Sequence, residues 1–342
     1  MMTGPFIIDL EGFELTPEEK DRLTHPWVGG VILFTRNFQD VTQLKALTSA
    51  LHALRPSNPL LISVDHEGGR IQRFREGFTK LPSFRILGER LPALSNATRS
   101  AGPQASDCAA LELALSEARA AGADLAFELK AVGVDFSYTP VLDLDYGRSQ
   151  VIGDRSFHRE PAFVSMLAAA MAQGLGLAGF RTCGKHFPGH GWAEADSHHN
   201  LPVDDRPLDA ILQDDAWPYA RLGRGRFGRA LLQSVMPAHV VYSQVDSLPA
   251  GFSRTWVTDI LKGQFGFEGV VISDDLSMAG AAVFEDIADR CEAAFAAGCD
   301  ATLICNRPDL SAKALDTVPS RIPAFLTDPG RRSLTLLRPR SV

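Results

Sequence analysis

Eight short apolar segments recur along the chain, and helix-like segments separate most of them. Most of these runs are continuous rather than alternating, as in Val-Ile-Leu-Phe at 31–34 and Val-Val-Ile-Ser at 270–273. Continuous apolar runs are typical of parallel strands that are covered on both faces. The candidate strands span residues 6–10, 30–34, 60–64, 135–140, 179–184, 230–238, 269–273 and 301–305.

Helical features fill the intervals between these strands. Thr16 followed by Pro17 predicts a helix start, because threonine caps helices and proline suits the first turn. Strand then helix, repeated eight times in 342 residues, predicts an α/β fold of the (β/α)8 TIM-barrel class, with residues 1–342 as a single domain. A doubly wound sheet is the alternative, since periodicity does not distinguish a closed sheet from an open one. Further helices are predicted at 40–54, 106–132, 161–177, 207–222, 256–265, 285–297 and 308–315.

Polar side chains stand at or just past the carboxyl end of nearly every candidate strand. In a barrel these ends converge on one face, where active sites are found. Strands also end in polar loops for ordinary reasons, but that explains the recurrence of Asp, Lys and His at the boundary less easily. The residues are Asp9, Arg36, Asn37, Asp65, His66, Glu67, Asp143, Asp145, Lys185, His186, His239, Asp274, Asp275, Asn306 and Arg307.

The composition is that of a globular protein, with 45% hydrophobic and 22% charged residues. A net charge of −7 argues against a nucleic-acid partner, which would need a basic face. The first residues lack the regions of a signal peptide, and no run approaches the roughly 18 apolar residues of a membrane span. Five cysteines without CxxC spacing are interpreted as reduced thiols. We therefore expect a cytoplasmic protein without a membrane partner.

Residues 174–179, Gly-Leu-Gly-Leu-Ala-Gly, match the GxGxxG pattern of dinucleotide sites. Their context is wrong, because they end a predicted helix and enter a strand, whereas the fingerprint leaves a strand and opens a helix. Close packing and a helix C-cap account for these glycines better than a cofactor does.

The densest group of titratable residues lies at 184–202, which holds four of the nine histidines. These histidines and Asp196 admit a metal site, although HExxH and tight HxH patterns are absent. A second interpretation pairs Asp196 with His198. A carboxylate two residues from an imidazole can fix its tautomer and raise its pKa from about 6.5, which leaves the other nitrogen for proton transfer. An Asp-x-His pair is as often structural as functional.

Two further strand ends carry carboxylates with an interpretable setting. Asp274 follows a strongly apolar strand, where rigid backbone would position it as a nucleophile. Asp275 points elsewhere, because neighbouring residues alternate along a strand, and we assign it to capping the following helix. Residues 64–73 combine acids, paired glycines and two arginines, a set that could hold a sugar or form a structural Asp–Arg network around a turn.

Four segments, in the same order, resemble the signature blocks of one enzyme family. Residues 185–191, Lys-His-Phe-Pro-Gly-His-Gly, followed by Asp-Ser-His at 196–198, are similar to the signature of bacterial β-N-acetylhexosaminidases of glycoside hydrolase family 3. Residues 64–70, 152–157 and 273–278 resemble three further blocks. Their joint occurrence makes the resemblance far more specific than any single block.

The resemblance implies a role for each matching position. Asp274 corresponds to the nucleophile, His198 to an unusual general acid/base, and Asp196 to its dyad partner. His66 departs from the pattern, because the family more often has glutamine there; this affects a contact beside Asp65 rather than the catalytic set. The residues that correspond to those holding the N-acetylglucosamine ring are Asp65, Arg73, Arg155, Lys185 and His186.

The resemblance also implies an activity: a retaining exo-β-N-acetylglucosaminidase that removes terminal β-linked N-acetylglucosamine from recycled muropeptides carrying 1,6-anhydro-N-acetylmuramic acid. Its partner is a small carbohydrate, no metal or organic cofactor is implied, and we expect a monomer or weak oligomer. His190 and His199 receive no catalytic role. The alternatives are a phosphorylase that uses the same dyad, a β-glycosidase of broader specificity in the same family, a metal-dependent barrel hydrolase, and a sugar-binding protein without turnover.

Overall fold

The computed structural model describes residues 3–91, 105–194, 201–224 and 230–340. Its central sheet consists of β1 (Phe6–Asp9), β2 (Val28–Leu33), β3 (Leu61–Val64), β4 (Phe136–Ser137), β5 (Cys183–Phe187), β6 (Ser234–Pro237), β7 (Val270–Asp275) and β8 (Ala301–Ile304). The eight strands lie in the order β4-β3-β2-β1-β8-β7-β6-β5, and every neighbouring pair is parallel.

The sheet closes into a barrel between β4 and β5. After β4 the chain moves from its ladder with β3 to one with β5, where Val141 pairs with Lys185. The Leu142 N–H donates to the Lys185 carbonyl at 2.7 Å, and the Cys183 N–H donates to the Thr139 carbonyl at 2.8 Å. The predicted TIM barrel is therefore confirmed, and the doubly wound alternative, which would leave the sheet open, is wrong.

Burial on both faces explains the continuous apolar runs. In β1, Phe6 and Ile8 pack in the large cluster between the sheet and the helices, whereas Ile7 belongs to a separate cluster inside the barrel. Alternation along a strand sends neighbouring side chains to opposite faces, so both faces must be apolar. The other strands contribute to the inner cluster Ile32, Leu61, Phe136, Cys183, Met236, Val270, Ile272, Ala301 and Leu303.

Helices follow the strands around the barrel. The α-helices span Pro17–Thr24, Val41–Leu54, Phe84–Gly88, Ala105–Ala131, Pro161–Leu177, Leu208–Gln213, Trp217–Leu222, Ile287–Ala297 and Pro308–Arg321, and a π-helix spans Thr255–Gln264. Short 3₁₀ helices span Thr35–Asn37, Gly153–Arg155, Ala250–Phe252, Ala279–Ala281, Pro323–Thr327 and Leu334–Leu337. Two short strand pairs lie outside the barrel sheet: His66–Gly68 with Ile71–Gln72, and Val203–Asp204 with Val241–Tyr242.

The first helix begins as its sequence predicts. The Glu19 N–H donates to Thr16 Oγ1 at 3.1 Å, and the Thr16 N–H donates to the Glu19 carboxylate at 2.9 Å. Pro17 occupies the first turn, where an N–H is not needed. This reciprocal capping satisfies donors that the helix start would otherwise leave unpaired.

Several predicted boundaries are wrong. The sixth strand starts at Ser234 rather than at residue 230, and the helix predicted at 308–315 runs to Arg321. The single helix predicted at 207–222 is two helices, because Pro218 has no N–H to continue the first one. The fifth strand starts four residues later than predicted, at Cys183, since Gly179 adopts a left-handed φ of +82° after the preceding helix. Gly174 lies where a Cβ would be 2.0 Å from the Arg119 carbonyl oxygen, so close helix packing accounts for this glycine.

The described part of the chain contains no helix long and apolar enough to cross a membrane. All five cysteines fall within it, and each is a free thiol. Cys108 is exposed and the others are buried.

Candidate active site

The carboxyl ends of the strands bring predicted site residues to one face of the barrel. Asp65 directly follows β3, and Asp274 lies in β7. Lys185 and His186 lie inside β5 rather than just beyond the predicted strand. Lys185 pairs with Met236, and the register shifts between Lys185 and Phe187. Carboxyl ends of barrel strands are the usual location of catalytic groups.

Two predicted catalytic residues, Asp196 and His198, lie outside the described residues, as does His199. The structure describes the chain up to Glu194 and again from Leu201. The roles of Asp196 and His198 therefore stay predictions.

A buried ionic network joins β3, β5 and the 3₁₀ helix Gly153–Arg155. Lys185 Nζ lies 2.6 Å from both Asp65 Oδ1 and Glu67 Oε1. The Arg155 guanidinium holds Glu67 with two hydrogen bonds of 2.9 and 2.8 Å. Lys185 and Glu67 are each 2% exposed, whereas the Asp65 side chain is 27% exposed. Asp65 is thus the member of this network that is most accessible to a ligand.

Charge pairing sets the protonation states within this network. Burial by itself would raise the pKa of Glu67, but Arg155 and Lys185 outweigh it and hold that pKa well below its usual range. Burial would lower the pKa of Lys185, but Asp65 and Glu67 raise it above its ordinary value. Glu67 and Lys185 are therefore charged at neutral pH. The sequence marks Glu67 only as a polar residue of the segment 64–70, and its place at the centre of this network depends on the fold.

A second buried carboxylate orients His186. Asp143 Oδ2 lies 2.7 Å from His186 Nδ1, and the Asp143 carboxylate also accepts the backbone N–H of His186 at 3.2 Å and of His190 at 2.7 Å. Burial raises the pKa of Asp143, but nearby His186 and these hydrogen bonds bring it below its ordinary value. An ionised carboxylate only accepts, so His186 carries a proton on Nδ1. The sequence indicated Asp143 as a site residue only through its position after the fourth strand.

His190 is held through its backbone in the same cluster. Its side chain is buried, and burial together with nearby His186 lowers its pKa to about 4. The ring centroids of His186 and His190 are 6.1 Å apart. Over the described ranges, no three His, Cys, Asp or Glu side chains come together as a metal site.

Arg73 and His66 flank the aromatic side chains beside Asp65. The Arg73 guanidinium lies over the Phe34 ring, 5.6 Å from its centroid. His66 is buried against Phe74 and Phe78, with ring centroids 5.7 and 5.9 Å away. Burial, followed by the nearby arginines, lowers the pKa of His66 to about 4, so its imidazole is neutral and packs as an aromatic ring. Histidine in place of glutamine therefore extends an aromatic cluster.

Asp274 and Asp275 have different surroundings. The Asp274 carboxylate accepts the Asp275 N–H at 2.8 Å. Asp275 accepts the Ser277 N–H at 2.9 Å, the Ser277 hydroxyl at 2.7 Å and the Cys305 N–H at 3.0 Å. Burial raises the pKa of Asp275 to about 7.

The prediction that Asp275 caps the following helix is wrong. The next α-helix, Ile287–Ala297, begins at Asp286, whose carboxylate accepts the Ala288 N–H at 2.8 Å. The 3₁₀ helix Ala279–Ala281 and turn residues separate Asp275 from that helix, so it cannot reach the helix start. Asp275 instead ties the end of β7 to the chain just after β8.

Comparison with known proteins agrees with this arrangement. Residues 7–322 match the family model described as the glycosyl hydrolase family 3 N-terminal domain. This chain belongs to glycosyl hydrolase family 3. A β-hexosaminidase of Bordetella avium is 56% identical over 325 residues, which cover 94% of this chain and 86% of that protein. A β-hexosaminidase of Aromatoleum aromaticum is 56% identical over 314 residues, covering 92% and 82%.

The fold has a counterpart among solved structures. NagZ from Neisseria gonorrhoeae in complex with N-trifluoroacetyl-D-glucosamine has a TM-score of 0.84 and 45% identity to this chain, covering 100% of this chain and 92% of that one. The predicted family, and with it the prediction of a glycoside hydrolase of the β-hexosaminidase type, is confirmed.

Proposed function

We propose that this family 3 protein is a retaining exo-β-N-acetylglucosaminidase that releases terminal β-linked N-acetylglucosamine. The observation that carries the proposal is the presence, on one barrel face, of Asp274 on a strand end and of Asp65 anchored by buried Lys185. A nucleophilic carboxylate and a fixed polar wall are what a glycosidase needs at the ring it cleaves. The β-hexosaminidase relatives and the glucosamine analogue bound by the gonococcal enzyme support this substrate class.

In this proposal the ionic network holds the sugar ring. Asp65 accepts hydrogen bonds from ring hydroxyls, because Lys185 fixes its carboxylate while leaving part of it accessible. His186, oriented through Nδ1 by Asp143, offers Nε2 to the ring. Arg73 and Arg155 supply positive charge beside the polar substituents. Buried, fixed partners bind the substrate in one orientation, which lowers the entropy cost of reaching the transition state.

The first chemical step forms a glycosyl-enzyme. The Asp274 carboxylate attacks the anomeric carbon, and the bond between that carbon and the leaving oxygen breaks. His198, protonated with the help of Asp196, gives its proton to the leaving oxygen. This assignment of Asp196 and His198 rests on the family resemblance of their segment.

The second step reverses these roles. His198 takes a proton from water, the oxygen of the resulting hydroxide attacks the anomeric carbon, and the bond from that carbon to the Asp274 carboxylate breaks. Two inversions retain the anomeric configuration. A histidine replaces the second carboxylate of most glycosidases, so carboxylate spacing does not predict the stereochemistry here. The scheme uses no metal or organic cofactor.

We also propose the biological source of the substrate. Muropeptides from recycled cell wall, carrying 1,6-anhydro-N-acetylmuramic acid, would present the terminal N-acetylglucosamine. Degradation of such fragments would take place in the cytoplasm, and free, mostly buried thiols suit a reducing compartment.

Hydrolysis of a chromogenic β-N-acetylglucosaminide, compared with the matching β-glucoside, tests the proposal. We expect wild type to prefer the N-acetylglucosaminide and Asp274→Ala to lose at least about a thousandfold in kcat, since the nucleophile is gone. Asp309→Ala, which removes an exposed ion pair with Arg307 at a helix start, is the control and should keep full activity.

Trapping with a slow 2-deoxy-2-fluoro-type substrate identifies the nucleophile independently. The labelled peptide should contain Asp274. Label at another residue, or turnover that persists in Asp274→Ala, contradicts the assignment. A sugar 1-phosphate formed with added phosphate would mark a phosphorylase, and loss of activity to a chelator would mark a metal-dependent hydrolase.

A further inference from the structure

The end of β7, which carries Asp274, extends beyond its backbone ladder with β6. The register pairs Val270 with Ser234 and Val271 with Val235, and among these described residues the ladder ends there. β6 ends at Pro237, which has no N–H to donate. Backbone pairing with β6 therefore stops before Asp274.

Beyond the end of this ladder, a side chain forms a hydrogen bond with the backbone of β7. His239 follows β6 and is fully buried. Its Nε2 lies 3.0 Å from the carbonyl oxygen of Asp275. A carbonyl only accepts, so Nε2 carries the proton and donates it. Burial lowers the pKa of His239, which favours the neutral ring, and the bond to the carbonyl sets its tautomer.

An aromatic ring packs against this imidazole. The ring stacks on Phe252 with centroids 5.6 Å apart and an interplanar angle of 26°. Within the described ranges, Nδ1 itself has no hydrogen-bond partner. Leaving a buried polar atom unpaired costs about 1–3 kcal/mol, so packing alone does not explain why histidine occupies this position.

On its other edge the same backbone lies at a bulge. Ile272 pairs with Ala301 and Asp275 with Leu303, so the register shifts between these pairs. The Leu276 N–H then donates to the Leu303 carbonyl at 2.9 Å. Bulges redirect side chains and are over-represented next to active sites. The segment bearing Asp274 is thus held by β8 on one edge and by His239 on the other.

We propose that His239 is a positioning residue for the nucleophile: its Nε2–H holds the Asp275 carbonyl and so aims the backbone that presents Asp274 to the anomeric carbon. This inference rests on the proposed function, because it takes Asp274 as the nucleophile. Both chemical steps use Asp274, so loss of the contact should slow them whatever the leaving group. Sugar binding, which depends on the β3 and β5 side, should not change.

The test compares two side chains of similar length at one position. His239→Gln keeps an N–H donor, whereas His239→Met fills the site without one. We expect His239→Met to lose about tenfold to a hundredfold in kcat, the scale of a small misplacement of a reacting group, on both an activated aryl glycoside and a disaccharide. His239→Gln should recover most of that loss. The dissociation constant for N-acetylglucosamine should stay within about twofold in both variants.

Phe252→Leu is the matched control, because it removes the ring stack but leaves the donor in place. It should lower the melting temperature while keeping kcat within about twofold of wild type. Should His239→Met fail to fold, His239→Asn, whose amide falls short of the carbonyl, takes its place with the same expected loss. An unchanged kcat in the variant without the donor, no recovery in His239→Gln, or an equal loss in Phe252→Leu overturns the inference.

The trapping experiment separates the two proposals. If wild type is not labelled at Asp274, the proposed function fails. If wild type is labelled at Asp274 and the variant without the donor is trapped at the same rate, only the role of His239 fails. Labelling at Asp274 with trapping slowed about tenfold or more supports both.

Discussion

The two sides of the active face hold buried carboxylates by opposite means. On the β3 and β5 side, Glu67 lies between Lys185 and Arg155, and its pKa is well below the usual range although the side chain is buried. On the β7 side, Asp275 accepts from backbone N–H groups and the Ser277 hydroxyl, and burial raises its pKa to about 7. The comparison teaches that the charge of the partners, rather than burial itself, decides whether a buried carboxyl is ionised.

This difference is consistent with the role proposed for each side of the active face. A network of paired charges is fixed at all ordinary pH values, which suits a wall that binds a neutral sugar. The nucleophile side is held by backbone groups and neutral side chains, so a second buried negative charge beside Asp274 is disfavoured. The protonation of Asp275 near neutral pH limits repulsion between these adjacent carboxylates.

Glu67→Gln should lower the free energy of unfolding more than the other substitutions, because it leaves Lys185 and Arg155 buried with one counter-charge fewer. Removing one partner of a buried ion pair costs about 3–5 kcal/mol, and we expect a loss of that size in the free energy of unfolding measured with urea. KM for the chromogenic substrate should rise, since Lys185 also anchors Asp65.

The matched control for this substitution is Asp154→Asn, which makes the same acid-to-amide change in the nearby pair with Arg70. Both partners of that pair are almost half exposed, at 46% and 45%. Exposed pairs contribute about 0–1 kcal/mol, so this variant should be close to wild type. Equal losses in the two variants would contradict the view that the β3 and β5 side depends on its buried charges.

Asp275→Asn should change how stability depends on pH. The carboxyl has an ordinary pKa of 3.8 when unfolded and about 7 when folded, so between these values the unfolded state releases the proton first. The free energy of unfolding of wild type should therefore fall as pH rises from 4 to 7, by on the order of 4 kcal/mol from this group, and then level off.

The amide cannot ionise, so Asp275→Asn should lack this component of the pH dependence. Urea unfolding of wild type and variant at several pH values isolates it, because the other titrating groups are shared. The difference in stability between the two proteins should shift in favour of the variant as pH rises. A difference that is constant from pH 4 to 7 would show that Asp275 is ionised in the folded protein.

Ser277→Ala should have the smallest effect. It removes the 2.7 Å hydroxyl bond to Asp275 but keeps the backbone N–H at 2.9 Å. That hydroxyl favours the ionised carboxylate, so its loss should raise the pKa of Asp275 further and cost about 1 kcal/mol at pH 8. Urea unfolding at pH 5 and 8 measures both effects.

Ser320→Ala is the control for this substitution, because the exposed Ser320 hydroxyl donates to the Thr317 carbonyl within its own helix. It should change stability by less than about 0.5 kcal/mol at either pH. A loss in Ser277→Ala that is larger at pH 5 than at pH 8 would mean that the hydroxyl stabilises the protonated form instead.

Much of the barrel could be predicted because its elements are locally encoded. Continuous apolar runs marked the strands, and the long helix Ala105–Ala131 was predicted within one residue at each end. Boundaries failed where one residue overrode the pattern, as Pro218 did within the predicted helix at 207–222. The positions of Asp65, Lys185 and Asp274 on one face followed from the strand ends, since a closed parallel barrel gathers them.

The partners of the site residues could not be predicted in the same way. Nothing in the spacing of Glu67, Arg155 and Lys185 indicates that they form one network, because their contacts depend on how neighbouring strands are registered. Asp275 was assigned to a helix start from its neighbour in sequence, whereas the fold places it beside Cys305. The sequence marked His239 only as a polar residue at a strand end.

The sequence by itself determined the order of strands and helices, the family and the face on which the chemistry would lie. These properties follow from hydrophobic periodicity and from short motifs, both of which are local. Only the tertiary structure decided which buried carboxyl is charged and which side chains are its hydrogen-bond or ion-pair partners. Register shifts such as the bulge beside Asp274 set those contacts, and a period of two along a strand specifies the face of a residue but not its partner on the next strand.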